Sequence, residues 1–71
     1  MPEQRIIWAS WRLRQDGRVE VVATRTEDQG HVRDHAEYDS LDEAAEALGP
    51  SFRDVVERSA AVGSRTGRWR P

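Results

Sequence analysis

Seventy-one residues without a single cysteine predict one small domain held by core packing or by self-association, with no disulfide and no thiolate-bound metal. All eleven basic residues are arginine, against thirteen acids, giving a net charge of −2. No run of about 18 uncharged apolar residues occurs, which excludes a membrane-spanning helix. The uncharged stretch from Ile6 to Trp11 is too short for the apolar region of a signal peptide, so the expected location is cytoplasmic.

The chain opens on strand-period alternation. Ile7, Ala9, Trp11 and Leu13 fall on one face, and Trp8, Ser10, Arg12 and Arg14 on the other, because side chains on a strand switch sides at every residue. After Gln15-Asp16-Gly17, residues Val19, Val21 and Ala23 resume the apolar parity against Arg18, Glu20, Val22 and Thr24. A two-residue loop would set Leu13 against Glu20 and mix the faces. A three-residue loop sets Leu13 against Val19, Trp11 against Val21 and Ala9 against Ala23, with Gly17 in the left-handed position of a bulge. The apolar match selects the second.

Glu27-Asp28-Gln29-Gly30 is the next turn signal, and His31 to Tyr38 reads as a third strand. A four-residue loop brings Val32, Ala36 and Tyr38 to the apolar side, together with Arg25 and Asp34, which would pair at the margin. Its density of charge suits an edge strand. Ser40-Leu41-Asp42-Glu43 has the form of a helix-capping box, followed by Leu41, Ala44, Ala45 and Leu48 at helical spacing. Gly49-Pro50 stops that helix. Ser51 to Asp54 predicts a second cap, and Phe52, Val55, Val56, Ser59, Ala60 and Val62 a second stripe. Arg53/Glu57 and Asp54/Arg58 are pairs of opposite charge one helical turn apart. Gly63 ends the helix.

These elements predict an α+β fold: a three-stranded antiparallel meander, order 1-2-3, covered on one face by a broken helix or two short ones. Residues 1–63 form the domain, and residues 64–71 a basic, flexible tail. The predicted core is Ile7, Ala9, Trp11, Leu13, Val19, Val21, Ala23, Val32, Ala36, Leu41, Ala45, Leu48, Phe52, Val55 and Val56.

Function has to be read from what the core does not use. The free sheet face carries Trp8, Arg12, Arg14, Arg18, Val22, His31, Arg33 and His35, with Glu20 opposite Arg12. Of these, Trp8, Arg12, Arg14, Arg18, Val22, Arg33 and His35 are the candidate interaction residues, and Arg65, Arg68, Trp69 and Arg70 the candidate tail contacts. Tryptophan and arginine outside a core are the residue types enriched at binding hot spots. Charge is unevenly placed: residues 1–33 hold six arginines and five acids, residues 34–57 one arginine and eight acids, and residues 58–71 four arginines and no acid. Such asymmetry favours self-association or a charged partner.

The leading expectation is a small, non-enzymatic interaction module acting by protein–protein contact or self-association. The alternative is nucleic-acid binding through the arginine face and the basic tail. Three strands and a C-terminal helix are similar in architecture to integrase arm-binding domains, which enter the DNA major groove by the sheet face. The strand–helix–Gly/Arg-tail order resembles the oligomerising part of nucleoid-bridging proteins. Neither resemblance extends to a shared motif. No catalytic constellation, phosphate-binding loop or cofactor motif is present, and no lysine. His31 and His35 lie about 13 Å apart on an extended strand and cannot share one metal.

Overall fold

The computed structural model describes residues 6–27 and 30–71. Three consecutive strands, β1 (Ile6–Leu13), β2 (Val19–Glu27) and β3 (Gly30–Tyr38), lead into two helices, α1 (Leu41–Leu48) and α2 (Pro50–Ala61), and then a fourth strand, β4 (Thr66–Trp69). The class is α+β. The sheet has four strands in the order β3-β2-β1-β4, because the segment expected as a tail pairs antiparallel with β1.

The first hairpin has the register that the apolar match demands: Leu13 opposes Val19, Trp11 opposes Val21 and Ala9 opposes Ala23. Its loop closes through Arg14 N–H to the Arg18 carbonyl at 2.8 Å and Gly17 N–H to the Arg14 carbonyl at 3.1 Å. Gly17 has φ +91°, a region that L side chains enter only against a Cβ clash. The Asp16 carboxylate accepts from the Arg18 amide at 3.1 Å and stiffens the turn.

One predicted core residue is displaced by an irregularity. Ile6 opposes Arg25 while Trp8 opposes Thr24, so β1 carries an extra residue there and Ile7 is the bulge. Ile7 is 37% exposed, and Ile6 packs against the core in its place. Between β2 and β3 the predicted register holds, with Val19 opposite Tyr38, Val21 opposite Ala36 and Ala23 opposite Asp34. The turn residues Asp28 and Gln29 lie outside the described residues. Arg25 and Asp34 form the expected marginal ion pair.

Ser40 caps α1, its hydroxyl accepting from the Glu43 amide at 3.2 Å, while the Glu43 carboxylate accepts from the Asp39 amide at 3.1 Å. The reciprocal bond therefore lands one residue earlier than the Ser40 amide of the expected box. The predicted cap at Ser51 does not form. Pro50 occupies the first turn of α2 and Gly49 is its cap, since proline has no N–H to orphan and its fixed φ is already helical. Ser51 is thereby left for another partner. The end of α2 is tied by Gly63 N–H to the Ala60 carbonyl (3.0 Å) and Ser64 N–H to the Ser59 carbonyl (2.8 Å), the two bonds of a Schellman motif. Both expected helical ion pairs are present, Arg53–Glu57 at 3.8 Å and Arg58–Asp54 at 3.2 Å.

The core is built from Ala9, Trp11, Val19, Val21, Ala44, Phe52, Val56 and Trp69. It centres on β1, the strand that β4 turns into an interior one. Val32 and Ala36 on β3 were expected inside; they are only half-buried and lie outside this cluster. Two short helices cannot cover four strands, and the buried side chains sit on β1, β2 and β4.

Gly67 opposes Trp11 across the β1–β4 ladder. A Cβ at Gly67 would stand 2.8 Å from Cζ2 of the Trp11 ring, well inside contact distance. Gly67→Ala is expected to cost about 1–3 kcal/mol by overpacking. That should lower the melting temperature by roughly 4–8 °C per kcal/mol. An unchanged melting curve would show that the ring does not lie over this glycine.

Candidate interaction face

The helices cover one side of the sheet, and the other is open. Cross-strand partners give its rows: Thr66, Arg12, Glu20 and Glu37 lie side by side, then Arg68, Ser10, Val22 and His35, then Trp8, Thr24 and Arg33. Five of the seven predicted face residues, Trp8, Arg12, Val22, Arg33 and His35, belong to these rows, and Arg68, expected as a tail contact, joins them through β4. Arg14 and Arg18 flank the hairpin loop just beyond them.

The arginines divide into two groups. Arg14 donates to the Glu20 carboxylate at 2.7 Å, and Arg18 donates to Glu37 at 3.3 Å. The hydrogen bond and charge of Glu20 hold the Arg14 guanidinium above its usual pKa. These two cations brace the first hairpin and neutralise the acids of the face. Arg12, Arg33 and Arg68 are exposed and make no ion pair among the described residues. The face thus retains net positive charge although it carries two glutamates.

Trp8 is half-buried, and the Arg68 guanidinium stacks over its ring, 5.2 Å from the centroid. Such a contact holds both side chains in place and is worth about 0.5–1 kcal/mol at an exposed site. Thr24, beside Trp8, is buried, and its hydroxyl has no hydrogen-bond partner among the described residues. A shallow trough of about 520 Å³ runs over β1, lined by Ser10, Arg12, Val22, His35, Thr66 and Arg68 together with Glu20, whose carboxylate is held by Arg14, and by Trp11 and Gly67. It offers guanidinium and hydroxyl donors around a small apolar floor, a composition suited to a carboxylate-bearing surface.

The tail residues separate. Trp69 was expected as an exposed contact; it is 3% exposed and belongs to the core. Its ring meets Phe52 edge to face at 5.4 Å, and its indole N–H donates to the Ser51 hydroxyl at 3.2 Å. The correction follows from parity: β4 places Gly67 and Trp69 inward, and Thr66 and Arg68 outward. Arg70 follows β4 and is exposed. Arg65 lies at the hairpin end, beside Arg12, Leu13 and Arg14, where its carbonyl accepts from the Leu13 amide at 2.7 Å. Alternation in Thr66-Gly67-Arg68-Trp69 is the sequence signal that reveals this strand.

On the helical side, Asp42, Glu43, Glu46, Asp54 and Glu57 are exposed. The molecule is therefore basic on its open sheet face and acidic across its helices. Among the described residues no cluster of histidines and carboxylates is arranged to hold a metal ion, and no helix is long and apolar enough to cross a membrane. No family model matches the chain, and no curated protein or solved structure matches it.

Proposed function

We propose that the chain is a non-enzymatic interaction module that docks an acidic surface of a protein partner on its open sheet face. One observation carries the reading: Arg12 and Arg68 flank a trough on that face and have no ion pair among the described residues. Guanidinium groups recognise carboxylates through forked, charge-assisted hydrogen bonds. Trp8 and Val22 add apolar surface beside them, the combination from which hot spots are made.

Nucleic acid is the second reading, favoured by the same two cations. One feature weighs against it. Trp8 already carries Arg68 on its ring, which occupies a surface that a base would stack on.

Affinity capture from the native host with the whole chain, beside the Arg12→Glu/Arg68→Glu variant, tests the proposal. Reversing two central charges is expected to weaken partner binding at least about a hundredfold, as each buried charged contact is worth about 2 kcal/mol or more. Retention of the partner by the variant would refute the assignment. Duplex DNA bound at about 50 mM salt, with affinity falling steeply as salt rises, would replace it by the nucleic-acid reading.

A further inference from the structure

β3 is an edge strand of nine residues, Gly30–Tyr38, with β2 on one side and no strand on the other among the described residues. Alternate residues of such an edge direct their N–H and C=O groups outward, where they are a template for another strand. The covered side of β3 is also incomplete, for Val32 and Ala36 are half-buried and outside the core cluster. Here an apolar strip continues past the helices to the margin of the sheet.

We propose that this edge pairs antiparallel with β3 of a second copy, centred on His35, joining two sheets into one. Only shifts by an even number of residues keep the apolar sides together, so few registers compete. Centring on His35 sets Arg33 against Glu37 of the second copy and Val32 against its Tyr38, each twice by symmetry. Centring on Arg33 or on Asp34 opposes that charge to itself. Centring on Ala36 sets Tyr38 against Asp34 and leaves Val32 opposite Ser40. The His35 register alone gives both the Arg33–Glu37 and the Val32–Tyr38 pairs; it sets Asp34, whose carboxylate is held by Arg25, against Ala36. It gives Arg33, which has no ion pair among the described residues, a carboxylate. The receiving Glu37 is already held by Arg18 at 3.3 Å, which orients it. The contact is isologous and closes as a dimer. It uses the backbone edge of β3 and shares only His35 with the trough, whose flanking Arg12 and Arg68 take no part in it, so either proposal can fail alone.

Sedimentation equilibrium of the whole chain at micromolar concentrations tests this. The expected result is a dimer that Arg33→Glu weakens by about tenfold or more, since two attractive cross-strand pairs become repulsive. Glu37→Arg should do the same, and the double variant Arg33→Glu/Glu37→Arg should restore dimerisation. Val32→Lys, which leaves Glu37 and its Arg18 contact in place, should also weaken the dimer. A wild-type monomer at every concentration would overturn the proposal. So would a dimer indifferent to Arg33→Glu and Val32→Lys, or one lost only in the Arg12→Glu/Arg68→Glu variant, which would move self-association to the open face.

Discussion

Trp11→Ala is expected to destabilise the domain by about 3–5 kcal/mol, as for other buried aromatics cut back to the β-carbon. Trp11 is 3% exposed, opposite Val21 on β2 and Gly67 on β4. Its ring fills the space that the missing Gly67 side chain leaves. Its neighbours along and across the strands, Ala9 and Gly67, are too small to refill that space. Truncation therefore leaves a cavity bridging three strands. A partial offset comes from the indole N–H, which is buried without a hydrogen-bond partner among the described residues, and sets the loss toward the lower end of that range. About 3 kcal/mol is still more than half the stability of a small domain of about 5 kcal/mol. Urea denaturation followed by circular dichroism checks it, and a midpoint equal to the parent's would remove Trp11 from the centre of the core.

Trp69→Ala is expected to cost about as much, 3–5 kcal/mol. It removes the edge-to-face contact with Phe52 and the hydrogen bond to Ser51. The first adds about 0.5–1.5 kcal/mol beyond buried area, and the second about 1 kcal/mol. Because β4 is only four residues long, losing its one large buried side chain should also detach the strand from β1. Arg70→Ala, an exposed change next door, is the matched control and should stay within about 0.5 kcal/mol of the parent. Equal melting of the Trp69 and Arg70 variants would mean that β4 contributes nothing to the core.

Most of the fold was legible in residues that local rules govern. The parity of Trp8 and Trp11 and the glycine at position 17 fixed the first hairpin, since a slip of one residue would have inverted every side chain. Ser40 and Gly63 marked helix ends through hydrogen bonds made within a few residues. The failures lie where a distant element decides. Trp69 reads as part of a charged tail until β1 is seen to need a neighbour. Its burial depends on Phe52 and Ser51, some eighteen residues away. Ile7 falls on the apolar parity and is expelled by a bulge that alternation cannot display. Ser51 has the right residue type for a cap, and Pro50 starts the helix before it. Val32 and Ala36 have core-like patterning on β3, but only Tyr38 of that strand packs against the core cluster.

The candidate face was half legible for the same reason. Arg12, Arg33 and His35 follow from strand parity alone. Arg68 joins them only because β4 pairs with β1, setting Arg68 beside Ser10 and over Trp8. Which arginines remain available is also a tertiary matter. Glu20 and Glu37 take Arg14 and Arg18 out of the set, leaving a smaller and more sharply placed cluster than the sequence suggests.

A nuclear Overhauser spectrum of the whole chain bears most directly on the strand that completes both the core and the candidate face. Cross-strand contacts joining Ser10 to Arg68 and Trp11 to Gly67 are the predicted result. Random-coil shifts over residues 64–71, with no such contacts and β1 left as a sheet edge, would contradict it.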